Sequence, residues 1–270
     1  MGQRVVELGL VGANGKMGRC IIDEIKRDKR YHLQCAVINQ IETNLTHDRE
    51  YQHIYTDKLD KLNKSNVVMD FSSPKSTICT LNYCVEHKLP LVIGTTGFTE
   101  LEKFFINECA TAIPILFSPN MSLSVNILFE LVKLVANKLP DFDVEIIETH
   151  HRYKKDAPSG TALKLGEMVA NSRNVSLNEV AKFGRHGSNE PRNIGEIGFS
   201  VVRGGDIVGS HDVKFINDGE ILSLKSEINN RNSFAKGALM AAGFIYNKPA
   251  GLYNMKDVLG NQINELSTKL

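Results

Sequence analysis

Short apolar runs alternate with stretches of helical period through the first half of the chain. Residues 5–11 form the first apolar run, and residues 18–29 place Ile21, Ile22 and Ile25 on one helical face. Further apolar runs fall at 33–38, 67–71, 91–93 and 113–117, with helical stretches at 76–87 and 100–110 between the later ones. Strands alternating with helices predict a parallel, doubly wound sheet. The pattern changes near Asn120. Residues 122–138 predict a long amphipathic helix, with Val125, Leu128, Leu131, Val132 and Val135 at helical spacing. A strand at 144–148 and a helix at 161–170 follow, then strands at 197–202, 207–215 and 221–227 separated by Gly-containing turns. Strands joined by such turns predict an antiparallel or mixed open sheet. The polar stretch 171–193 reads as a long mobile excursion. A last helix, 233–246, is rich in small residues and suited to docking back on the first domain.

Composition narrows the class of protein. The chain has 270 residues, 42% hydrophobic and 23% charged, which is enough for one large or two modest cores. A formal net charge of +1 gives no reason to expect nucleic acid or an anionic membrane as partner. The N-terminus runs straight into a strand without the pattern of a signal peptide, and no apolar run approaches membrane-spanning length, so the expectation is a cytoplasmic protein. Cys20, Cys35, Cys79, Cys84 and Cys109 are odd in number and lack CxxC spacing, which predicts reduced, mostly buried thiols rather than disulfides or a zinc site.

Gly12, Ala13, Asn14, Gly15, Lys16, Met17 and Gly18 follow a strand and open a helix. Glycines in such a turn let backbone approach a pyrophosphate, and the helix N-terminus offers it bare N–H groups. The bland alternative is a turn that only packs strand against helix; its place after the first strand favours the nucleotide. Gly94, Thr95 and Thr96 end the fourth strand, and Ser118, Pro119, Asn120 and Met121 end the fifth. Ligands of open α/β sheets bind beyond strand carboxyl ends, so both loops are placed for the nicotinamide half of the cofactor, although their residues are also ordinary turn formers. The carboxylate expected after the second strand is missing, which leaves NADH and NADPH both open.

The segment from Glu148 to Ala162 concentrates donors. His150, His151, Arg152, Lys154 and Lys155 fall within six positions, and a helix starting near Ser159 follows. Fixed cations and a helix N-terminus suit an anion, and a histidine can donate a proton near neutral pH. The bland reading is a solvated basic loop. Metal binding is disfavoured, because no third ligand stands at suitable spacing.

These segments resemble the 4-hydroxy-tetrahydrodipicolinate (dihydrodipicolinate) reductase family along nearly the whole chain. The resemblance is carried by the Gly12 turn, Asp70-Phe71-Ser72, Gly94 to Phe98, Ser118 to Ser122, the long segment Glu148 to Ala162, and Arg203 to His211. It implies a Rossmann-type dinucleotide-binding domain from 1–121 and 231–270, and a second α+β domain with an open mixed sheet, 122–230, that binds substrate and builds a homotetramer. It implies NADPH- or NADH-dependent reduction of a cyclic dicarboxylate of the diaminopimelate route to lysine. His150 would donate a proton and Lys154 would assist or anchor a carboxylate; His151, Ser159, Gly160 and Thr161 would bind substrate. Gly12 to Met17, Gly94 to Thr96 and Ser118 to Met121 would hold the cofactor. One departure stands out: the acidic and basic pair usual after the second strand is Ile38-Asn39 in the ungapped register, or Asn39-Gln40 after a one-residue slip. Two other classes compete: a different nicotinamide-dependent reductase of a small anion, and a non-catalytic dinucleotide sensor. The turn at Gly12 permits both, but a sensor would not need the donor cluster.

Overall fold

Six consecutive residues of strand β1 (Val6–Val11) are nearly all buried, which is the signature of a central strand covered on both faces. The computed structural model describes residues 5–39, 54–187 and 190–260. β1 lies between β2 (Tyr31–Val37) and β4 (Val67–Asp70) in a seven-stranded sheet, completed by β3 (Tyr55–Thr56), β5 (Leu91–Ile93), β6 (Pro114–Phe117) and β12 (Gly251–Tyr253). The order is β12-β6-β5-β4-β1-β2-β3, and every pairing is parallel. Parallel strands need crossover connections, and α1 (Lys16–Arg27), α2 (Pro74–His87) and α3 (Glu100–Cys109) supply them. One face of the sheet packs Leu8, Leu10, Leu33 and Met69 with Ile21 and Ile25 of α1 and Ala238 and Ala242 of α7 (Asn232–Ile245). The other packs Val11, Val68 and Ile93 with Leu81 of α2 and Ile106 of α3. The small residues of α7 permit close approach: a Cβ on Gly237 would fall 1.8 Å from the Met121 carbonyl oxygen.

The chain packs as two compact units. One holds the described residues through Leu123 and those from Arg231 onward; the other holds Ser124–Asn230. In the second, a five-stranded sheet runs β11-β10-β7-β9-β8. β7 (Asp143–His150) is antiparallel to β10 (Gly209–Asn217) and parallel to β9 (Ile197–Arg203), while β11 (Glu220–Ile228) is antiparallel to β10. The sheet is therefore mixed. β7 and β10 alternate strictly, burying Val144, Ile146, Val213 and Phe215 on one face. α5 (Gly160–Ser172) packs on that face, closely enough that a Cβ on Gly166 would meet the Phe199 ring at 2.6 Å. α4 (Leu123–Lys138) lies beside α5, with the Lys164 ammonium over the Phe129 ring.

Two expectations need correction. The polar stretch 171–193 carries structure: α6 (Leu177–Val180) leads into β8 (Ala181–Phe183), which joins β9 as a parallel edge strand. This strand is largely exposed and lacks the apolar run that marks the equally short β5, so its pairing alone defines it. The cysteines are free, but only Cys35 and Cys84 are fully buried, and Cys79 is exposed on α2. The short β3, β12 and α8 (Met255–Leu259) were too brief for periodicity to reveal.

Candidate active site

In the first unit the candidate loops converge at the carboxyl ends of neighbouring strands. Sequence order runs outward from β1 in one direction through β2 and β3, then resumes with β4 on its other side. That reversal leaves the turns after β1 and β4 side by side. Gly12 has φ +81, and a Cβ there would lie 2.5 Å from the Phe71 carbonyl oxygen, so only glycine fits. The Gly12 and Ala13 N–H groups donate to the Val37 carbonyl, fixing the turn to β2. Gly18 lets α1 press on this turn, since its Cβ would fall 2.4 Å from the Gly12 carbonyl oxygen. α1 begins at Lys16 with no side-chain cap and no acidic residue in its first turn. α3, by contrast, has a complete capping box between Thr99 and Glu102. An uncapped start beside a glycine turn fits an anion better than a structural cap does.

Behind these loops lies a buried polar cluster. Asp70, at the end of β4, is fully buried, and its Oδ1 accepts from Ser72 N, Ser72 Oγ and the Thr95 hydroxyl. Thr95 is therefore held from beneath, whereas Thr96 is exposed. Gly94 accommodates the Phe71 ring, whose Cε1 would lie 2.0 Å from an added Cβ. In the next loop Ser118 donates to the Asn120 carbonyl and the Asn120 side chain accepts from Ser122 N. Pro119 is exposed, and Asn14, Gly15 and Met17 are half-buried. Ala13 and Met121 belong to the hydrophobic core, so only their backbones are suited to meet a ligand. Lys16 is exposed at the first position of α1, and Asn39 is exposed just after β2. Ile38 is buried and packs in the core, so it is not available to a ribose; Gln40 lies outside the described residues.

In the second unit β7 ends in a charge-bearing layer. Glu148 and His150 are inward-facing neighbours on the buried side of the strand. His150 Nδ1 lies 2.6 Å from Glu148 Oε2. Arg203, opposite His150 in the β7–β9 register, grips both Glu148 oxygens at 2.7 Å. Burial alone would raise the Glu148 carboxyl, but Arg203, His150 and the Ser159 N–H hold it below the usual carboxylate range. Burial pushes the His150 imidazole below its ordinary range, against the pull of Glu148. Gly209 leaves room at the far nitrogen: a Cβ there would lie 3.1 Å from His150 Nε2.

The start of α5 is tied to the same layer. Ser159 is buried; its N–H donates to Glu148 Oε1, its hydroxyl accepts from Ala162 N, and it lies 3.0 Å from His211 Nε2. Its side chain caps the first turn of α5. Gly160 is exposed, with nothing within 4 Å of an added Cβ, so open space lies before the helix. Thr161 is half-buried in the first turn. His211 packs edge-on against His150 at 5.1 Å, and burial pushes it down to about 4. Lys154 pairs with the exposed Asp156 at 2.9 Å, an arrangement a ligand carboxylate can displace. His151 Nδ1 is buried without a hydrogen-bond partner among the described residues. Arg152 and Lys155 are exposed. Reading the sequence assigned no role to Glu148, Arg203 or His211. The spacing of Glu148 and His150 on one strand face was a usable signal; the placement of Arg203 depends on a long-range register. Taken together, the layer offers an imidazole with one nitrogen anchored and the other available, beside a helix N-terminus and a displaceable cation.

Comparisons with known proteins agree over most of the chain. The family model described as "Dihydrodipicolinate reductase, N-terminus" matches residues 6–121, and "Dihydrodipicolinate reductase, C-terminus" matches 124–259. The curated 4-hydroxy-tetrahydrodipicolinate reductase of Nitrosomonas eutropha is 42% identical over 264 residues, covering 95% of this chain and 98% of the relative. That of Hahella chejuensis is 38% identical, covering 95% and 99%. Among solved structures, dipicolinate-bound dihydrodipicolinate reductase from Paenisporosarcina sp. TG-14 aligns with TM-score 0.75 at 24% identity, covering 93% of this chain and 97% of that one. A probable dehydrogenase from Thermotoga maritima aligns with TM-score 0.64 at 9% identity, covering 97% and 95%. At these identities the two structures speak for the fold.

Proposed function

The chain belongs to the dihydrodipicolinate reductase family, and from that premise we propose that it reduces 4-hydroxy-tetrahydrodipicolinate to tetrahydrodipicolinate with NADPH or NADH, in the diaminopimelate route of lysine biosynthesis. The substrate ring gains a hydride and a proton and loses water. The nicotinamide supplies the hydride when bound; the uncapped α1 start and the glycine-only geometry of Gly12 fit its pyrophosphate. The loops 94–96 and 118–121 complete that site.

His150 is the proton donor in this reading. Glu148 accepts at Nδ1, so a proton leaves from Nε2, and only the imidazolium carries one there. Lys154 and the N–H groups at the start of α5 hold the substrate carboxylates, with His151 beside them. A planar dicarboxylate suits this set, and dipicolinate is the ligand of the Paenisporosarcina relative. The observation that carries the reading is the anchored His150 beside the open N-terminus at Gly160. NADPH oxidation by the purified protein, supplied with freshly generated cyclic intermediate, tests it. Turnover above the enzyme-free rate is expected; none would overturn the reading.

The cofactor preference follows from charge. Ile38 is buried and Asn39 neutral, so neither of the described residues that follow β2 repels a 2′-phosphate. Lys16 is unfavourable at a helix N-terminus as far as the dipole is concerned, and pairing with that phosphate compensates. Both cofactors serve, NADPH slightly better. Lys16→Ala is expected to weaken NADPH several-fold more than NADH by direct titration; equal losses would contradict this role. Five free thiols accord with a cytoplasmic location, and among the described residues no helix is long and apolar enough to cross a membrane. A homotetramer completes the proposal, built on the uncovered face of the mixed sheet.

A further inference from the structure

A carboxylate buried to 1% exposure lies two residues before the histidine read as the acid, and packing alone gives no reason for it. Burying a carboxylate is costly unless every oxygen is matched, and an apolar side chain would fill the space without that cost. Glu148 is matched on both oxygens. Oε2 accepts from His150 Nδ1 at 2.6 Å and from Arg203 Nη1 at 2.7 Å. Oε1 accepts from Ser159 N at 2.9 Å and from Arg203 Nη2 at 2.7 Å. Arg203 is itself anchored by the carbonyls of Val202 and Asp156. One carboxylate thus joins the end of β7, the end of β9 and the cap of α5.

We propose that Glu148 is a positioning residue: it sets His150 as the Nδ1–H tautomer, leaves Nε2 as the reacting nitrogen, and ties that nitrogen to the carboxylate-binding end of α5. The inference rests on the reading of His150 as proton donor. It goes beyond that reading in naming what makes this histidine, and not His211, fit for the task. His211 touches the cap directly but has a hydroxyl, not a carboxylate, at its Nε2.

The charges around His150 give the role a sign. From its own strand it faces Glu148; from β9, Arg203; from the following loop, Lys154; from β10, the neutral His211. Burial and both cations favour the neutral ring, and Glu148 alone favours the imidazolium. Arg203 tempers Glu148, so the proton is held without being trapped. Removing the carboxylate charge must therefore lower the titration of His150, and removing the guanidinium must raise it.

Histidine NMR on the full chain reads this directly, with the His150→Gln spectrum identifying the ring. The neutral ring in the native protein is expected as the Nδ1–H tautomer. Glu148→Gln is expected to lower the His150 midpoint by about one pH unit or more and to cut turnover at least about tenfold, with the pH–rate profile moving to lower pH. Arg203→Met should move the midpoint upward. A Nε2–H tautomer in the native protein would overturn the proposal, as would a folded Glu148→Gln whose His150 midpoint and pH profile are unmoved. Should that variant not fold, the native tautomer and the Arg203→Met shift decide. The spectra need no substrate, so an inactive native enzyme would remove the functional reading and still leave the role of Glu148 measurable.

Discussion

His150 can serve as an acid only while protonated, and its surroundings oppose that state in the free protein. Burial is the main cause, with Lys154 and Arg203 adding to it and Glu148 working against it. The midpoint of the free protein accordingly lies below the ordinary histidine range, and the acid form is lost as pH rises through it. A bound dianion reverses part of this, because two negative charges favour the imidazolium. The decline of kcat/KM, which reports the free enzyme, is expected at lower pH than the decline of kcat, which reports the complex. Coincident declines would argue against a dianion beside His150. His150→Gln should lose most turnover while dipicolinate binding persists; near-normal turnover would remove the histidine from the mechanism.

At the scale of elements, a glycine in the turn before α1 and one at the start of α5 have opposite requirements. Gly12 combines φ +81 with a Cβ position 2.5 Å from the Phe71 carbonyl oxygen. Gly12→Ala is expected to cost about 1–3 kcal/mol in thermal unfolding and to weaken NADPH binding. Gly160 sits at the first helical position of α5 with nothing within 4 Å of an added Cβ. Gly160→Ala should therefore leave stability within about 0.5 kcal/mol, while a methyl group in the ligand's approach weakens dipicolinate. Equal effects of the two changes on stability would contradict this assignment of space. Most longer elements were legible because their periods run through ten or more residues. The edge strand β8 was not, because Ala181, Lys182 and Phe183 are half-buried or exposed and form no apolar run like that of the equally short β5, so only pairing with β9 gives them structure.

At the scale of the whole molecule, the two sheets solve different covering problems. The parallel sheet has helices on both faces, with a core on each. Among the described residues of its own unit, the mixed sheet has α5 packed on one face. Its other face leaves Val202 at 47% and Ile221 at 64% exposure beside Lys225 and Glu227, a mixture of apolar and charged groups suited to pairing with copies of itself. Light scattering at micromolar concentration is expected to report four copies, and Ile221→Asp to shift the population toward smaller species. A monodisperse native monomer would refute the assembly.

The sequence by itself determined the order of the longer elements, the glycine turn at residue 12 and the donor-rich segment from His150 to Thr161, because each is written in residues close together along the chain. It also determined the family, since those segments match over nearly its full length. What only the tertiary structure decided is which of these groups act on one another. Glu148 meets His150 by strand alternation, but Arg203 reaches both through a register that pairs residues fifty-three apart (150 and 203), and Ser159 meets His211 from another strand. Local sequence cannot encode such pairings, because they arise from how the sheet closes on α5. The same holds for the Ser159 cap, whose hydroxyl accepts from Ala162 N and lies against His211 of a distant strand.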